Sequence, residues 1–132
     1  MRTLSTLLLL WLHPAQAQSP MTAAEFESYT TGKTLYFDHQ GERYGGERYL
    51  RDRYVEWSFL DGNCQPGRWY DAGKNHLCFV YEDIAEPQCW QFFKTPDGLQ
   101  AQFQGPGNQS QSLYEAQPDA TPMSCTGPGL GV

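Results

Sequence analysis

Four cysteines, Cys64, Cys78, Cys89 and Cys125, carry the most definite chemistry in this sequence of 132 residues. Consecutive cysteines lie 14, 11 and 36 positions apart, whereas zinc-binding cysteines usually come in pairs about two to four residues apart. The spacing favours two disulfides over a metal site. Carboxylates cluster at Glu82, Asp83 and Glu86. A carboxyl pair could serve glycoside hydrolysis, but the surrounding pattern makes this segment a turn, where the same charges form a solvated acidic knob able to face a basic partner. His39, beside Asp38, and His76 could each contribute to a metal site, yet neither sits at ligand spacing. The chain has no G-x-S-x-G, no H-E-x-x-H and no glycine-rich phosphate loop. The expectation is therefore a protein without catalysis, cofactor or metal.

A local duplication offers a second kind of site. Gly41-Glu42-Arg43-Tyr44 recurs as Gly46-Glu47-Arg48-Tyr49. An offset of five puts the two tyrosines on opposite faces of a regular strand, unless Gly45-Gly46 makes a turn or bulge that restores them to one side. One reading is a charged edge hairpin. The other is a paratope in which Tyr44, Arg48 and Tyr49 engage a partner, since Tyr and Arg dominate interface hot spots.

The elements that must position these residues begin after a leader. Arg2, the apolar run 4–12, Pro14 and Ala15-Gln16-Ala17 form the tripartite layout of a secretory signal peptide. The run is shorter than the roughly 20 residues that span a bilayer, so a periplasmic or secreted protein starting at Gln18 is expected, with no integral membrane association. An oxidising compartment agrees with paired cysteines. The chain has nine basic and 15 acidic residues; loss of Arg2 with the leader leaves eight basic ones and a net charge of −7. Nucleic acid is excluded as a partner, because the counterion release that drives such binding needs a basic surface.

Residues 18–132 are the size of one domain. Thr22-Ala23-Ala24-Glu25 is a capping box, Phe26 and Tyr29 share a helical face, and Gly32 suits the left-handed position after a helix end. From Lys33 onward the period changes to two, with turn residues about every ten positions, as in an antiparallel meander. Strands are predicted at 34–37, 53–59, 78–81, 89–92, 99–103 and 113–115, with an extended tail over about 116–132. If Cys78–Tyr81 and Cys89–Phe92 flank a hairpin loop at Glu82–Ala85, Cys78 falls directly opposite Cys89. The predicted pairs are therefore Cys78–Cys89 and Cys64–Cys125. The second pins the tail to the sheet, and closing so long a loop stabilises by about 4 kcal/mol in the chain-entropy model. The predicted core is Leu35, Phe37, Val55, Trp57, Phe59, Trp69, Phe79, Trp90, Phe92, Leu99 and Phe103. The fold class is mainly β: an antiparallel meander forming a barrel or half-barrel with one N-terminal helix and two disulfides.

Gly67-Arg68-Trp69 resembles the G-x-W signature of lipocalin-type barrels, although there it occupies the first strand and here it comes midway. The exported, disulfide-stapled meander also resembles small periplasmic barrels that inhibit proteases or lysozyme, a likeness of architecture only. A broader resemblance runs through Met21-Thr22-Ala23-Ala24-Glu25-Phe26, Thr31-Gly32-Lys33-Thr34, Gly67-x-Trp69-Tyr70, Cys78-Phe79-Val80-Tyr81-Glu82 and Gln88-Cys89-Trp90-x-Phe92 to a group of short exported alphaproteobacterial proteins. It implies a bacterial exported protein and carries no site residues. Two functional expectations follow: a non-catalytic binding protein for a small ligand or envelope component, and an inhibitor of a cationic hydrolase such as lysozyme, acting through Glu82, Asp83 and Glu86.

Overall fold

The computed structural model describes residues 18–106, 111–118 and 122–127; the leader reading falls on residues outside these. One helix, α1 (Ala23–Thr30), precedes eight strands: β1 (Thr34–His39), β2 (Glu42–Tyr49), β3 (Tyr54–Ser58), β4 (Gln65–Asp71), β5 (Leu77–Tyr81), β6 (Gln88–Thr95), β7 (Gly98–Phe103) and β8 (Ser112–Ala116). Each strand pairs with the next in antiparallel fashion, and β8 returns to β1, so the meander closes into a barrel. Both disulfides are those expected, Cys64–Cys125 and Cys78–Cys89. The β5–β6 ladder places Cys78 directly opposite Cys89.

Alternation decides what fills the barrel. Leu35 and Phe37, Leu77, Phe79 and Tyr81, and Leu99 and Ala101 all join one buried cluster, because residues two apart on a strand share a face. Phe26 of α1 enters this cluster fully buried. Its ring meets Tyr49, Trp69 and Phe79 edge-on at 5.6, 5.1 and 6.3 Å and lies 4.2 Å from Phe92. The helix thus plugs one end of the barrel. The capping box forms as expected, Thr22 accepting from the Glu25 N–H while Glu25 accepts from the Thr22 N–H. Backbone bonds from Met21 N–H to Phe92 O and from Gly32 N–H to Tyr49 O tie both helix ends to the sheet. Arg53 adds an ion pair to Glu27 at 3.2 Å and lies 4.4 Å above the Trp69 ring.

The duplicated motif contains a bulge. Phe37 pairs with Gly45 but Asp38 pairs with Arg43, leaving Tyr44 as the extra residue. This brings Tyr44 and Tyr49 to the same inner side, the outcome the double glycine allowed. Gly45 has a second reason to lack a side chain: a Cβ there would fall on the Trp57 ring and 2.6 Å from the Ser58 carbonyl. Gly45→Ala is expected to lower the urea midpoint by an amount equivalent to about 1–3 kcal/mol, the usual cost of overpacking. An unchanged midpoint would show that Trp57 is not held across this strand.

The described part of the tail lies on the outer face of β1 and β2. Met123 is buried there, its N–H donating to Tyr36 Oη at 3.0 Å while its carbonyl accepts from Arg48 at 3.4 Å. Cys125 then anchors the tail to Cys64.

Candidate functional site

At the end of the barrel opposite α1, the inner face opens into a cavity of about 80 Å³. One water needs roughly 10–15 Å³ of such space, so a group of several heavy atoms fits. Phe37, Tyr49, Phe79 and Phe92 form its floor, and all four share the core cluster with the Phe26 plug, the last three through ring contacts. Tyr44, Trp57 and Phe59 form one wall, with ring centroids 5.5–5.7 Å apart. Trp90, braced by Phe103 at 5.1 Å, Ile84 of the β5–β6 loop, Ala101 and Leu113 complete the apolar lining.

Glu47, Gln65 and Gln88 interrupt this surface with polar side chains. Glu47 is 2 % exposed, and its Oε1 accepts a hydrogen bond from Tyr81 Oη at 2.8 Å. Its Oε2, and Oε1 of Gln65, are buried without a hydrogen-bond partner. Burial disfavours the ionised carboxyl and pushes the Glu47 pKa up to about 8, against the lowering effect of the Tyr81 hydrogen bond. Burial, with the nearby carboxyl, also holds the Tyr81 and Tyr49 hydroxyls well above their usual range, so both stay neutral phenols. Gly67 makes the Tyr81 position possible, since a Cβ there would meet the Val80 carbonyl at 2.5 Å and the Tyr81 ring at 2.7 Å. The arrangement can hold a proton on Glu47 or release it to solvent when a ligand brings positive charge.

The residues singled out by sequence divide between three places. Tyr44 and Tyr49 face the cavity, Tyr49 only 3 % exposed, so they belong to a concave interior rather than to an outward paratope. Arg48 points the other way and holds Glu56 at 3.3 Å together with the tail. Glu82, Asp83 and Glu86 are exposed in the loop that carries Ile84. Phe59, expected in the core, is 52 % exposed because it stands at the cavity mouth; Trp57, Trp90 and Phe103 are half-buried. Glu47, Gln65 and Tyr81 were not singled out. Their signal was parity: Glu47 lies two before Tyr49, and Gln65 four before Trp69, so burying the aromatic turns the polar residue inward as well.

No family model, curated protein or solved structure matches the chain. Among the described residues, the one group of potential metal ligands combines Glu56 with Cys64 and Cys125. Those sulfurs are joined to each other, which removes the thiolates a metal would need. Among the described residues no helix is long and apolar enough to cross a membrane.

Proposed function

We propose that this protein is an exported, non-catalytic binding protein that holds a small ligand in the open end of its barrel. The observation that supports this reading is the cavity itself: aromatic walls on a rigid closed sheet, interrupted by a few convergent polar atoms, as small-molecule sites generally are. Its described lining provides one carboxyl–phenol pair, Glu47 with Tyr81, and neither a histidine nor a second carboxyl. In this reading the pair recognises the ligand through a carboxyl oxygen held by the Tyr81 phenol.

The test is a small-molecule screen against the oxidised protein, read by the fluorescence of Trp57 and Trp90. A ligand should quench or shift that emission, and Phe59→Ala, at the mouth, should weaken it by about tenfold by removing aromatic contact. A second reading, inhibition of a cationic hydrolase, is favoured by the exposure of Glu82, Asp83 and Glu86 and by the negative charge, which would steer a basic partner. Capture of such a hydrolase at low salt, lost at about 0.5 M and lost in the E82Q/D83N/E86Q variant, would replace the ligand reading if the screen finds nothing.

A further inference from the structure

We infer that the cavity is built for a compact organic cation, a protonated amine or amidinium, whose N–H groups meet Glu47 Oε2 while its apolar body lies against Tyr44, Trp57, Phe59 and Trp90. The inference rests on the ligand-binding reading and names its ligand class.

Hydrogen-bonding capacity is the first argument. Glu47 Oε1 is occupied by Tyr81, while Glu47 Oε2 and Gln65 Oε1, on two residues that line the cavity, are buried with no hydrogen-bond partner. Among the described residues lining the cavity there is no Arg, Lys or His. A buried acceptor is normally satisfied; the neutral donors of the lining, the Gln88 amide and the tyrosine hydroxyls, leave these two oxygens unpaired, and a ligand N–H completes Oε2 once Glu47 gives up its proton. The aromatic wall is the second argument. Tyr44, Trp57 and Phe59 pack into a three-ring cluster, and ring faces attract cations most where water is excluded. A buried carboxyl beside such rings complements positive charge and offers little to an anion. The third argument is the approach. Glu82 and Asp83 directly precede the rim residue Ile84, Glu86 follows two positions later, and the chain carries a net charge of −6. A cleft edged by one sign of charge concentrates ligands of the other.

Proton linkage then distinguishes a cation from a neutral guest. The groups around Glu47 are the Tyr81 phenol from β5 and the Tyr49 phenol from β2; beyond Tyr49, the Glu115 carboxyl of β8 accepts from Tyr29 Oη at 2.8 Å and the Leu99 N–H at 2.7 Å. None of these supplies a positive charge, and burial leaves Glu47 carrying a proton at neutral pH. A bound ammonium stabilises the ionised form and displaces that proton to solvent. The cation should therefore bind more tightly as pH rises toward the Glu47 pKa, whereas a neutral acceptor should bind more tightly as pH falls.

Calorimetric titration of the oxidised protein with benzylamine and with its neutral counterpart benzyl alcohol, at pH 6.5 and 8.5, tests this. The expected result is benzylamine preferred by about tenfold or more, the usual scale for a charge-assisted hydrogen bond over a neutral one. Its affinity should rise with pH, close to one proton should be released per amine at pH 6.5, and Glu47→Gln should abolish the preference. Equal binding of both probes, unchanged in Glu47→Gln, overturns the cation assignment and leaves the ligand-binding reading standing. Binding of neither probe, together with an empty small-molecule screen, overturns both.

Discussion

Phe26→Ala is expected to remove about 3–5 kcal/mol of stability, the range for deleting a large buried aromatic. Among the described aromatic rings none meets rings from more strands: one fully buried ring from α1 touches rings from β2, β4, β5 and β6. The loss comprises the ring's own burial, the cavity it leaves and the edge-on contacts, each worth about 0.5–1.5 kcal/mol in favourable cases. The barrel's own ladders do not depend on it, so the variant should keep its strand signature while unfolding at much lower urea. Phe26→Leu, which preserves most of the volume, should lose distinctly less. Equilibrium unfolding followed by far-ultraviolet and near-ultraviolet circular dichroism checks both variants. A loss below about 1 kcal/mol for Phe26→Ala would mean that the helix rests on the barrel end instead of filling it.

The second large effect is a dependence on pH with the opposite sign to ordinary acid denaturation. Glu47 titrates near its usual value in the unfolded chain but is pushed up to about 8 when folded. Between these limits the native state binds more protons than the unfolded state, so stability falls as pH rises. A single group of this kind gives a slope of up to about 1.4 kcal/mol per pH unit, which accumulates to a few kcal/mol across the window and levels off above it. Glu25 and Asp61 act in the other direction. Backbone hydrogen bonds from Thr22 and Asn63 lower their pKa values, so their contributions are lost only as pH falls into the acid range. Stability should therefore peak near pH 5. Glu47→Gln keeps an acceptor for Tyr81 but cannot ionise, so it should match the parent at pH 5 and exceed it by a few kcal/mol at pH 8. Urea unfolding of the two proteins at pH 5, 6.5 and 8 measures this; parallel profiles would show that Glu47 is solvated.

Much of the architecture was legible because local signals agreed with one another. The capping box at Thr22, the core placement of Val55 with Trp57 and the Cys78/Cys89 register each point to one arrangement, and each is present. Closure of the sheet was not readable, since nothing in β1 or β8 alone specifies a partner about eighty positions away. The site was harder still. Charge made Glu47 look like surface, as carboxylates almost always are, and the duplication drew attention to Tyr44, Arg48 and Tyr49 as a set. The bulge at Tyr44 separates that set, turning the tyrosines inward and leaving Arg48 outside. A strand's parity is visible in sequence, but which parity faces inward across a bulge depends on its partner strand.

The junction between β1 and β8 consists of three residue pairs, Tyr36 with Ala116, Phe37 with Glu115 and Asp38 with Tyr114. Every other contact between neighbouring strands spans a short connection, so the remaining ladders can form early and locally, while this one must gather the two ends of the meander at the loop-closure cost of a long segment. Until it zips, the molecule is an open sheet with two unprotected edges, the form most prone to pair with another copy. Refolding should therefore be slow at its last step and concentration-sensitive in yield, with dilution favouring the monomer over edge-to-edge aggregates.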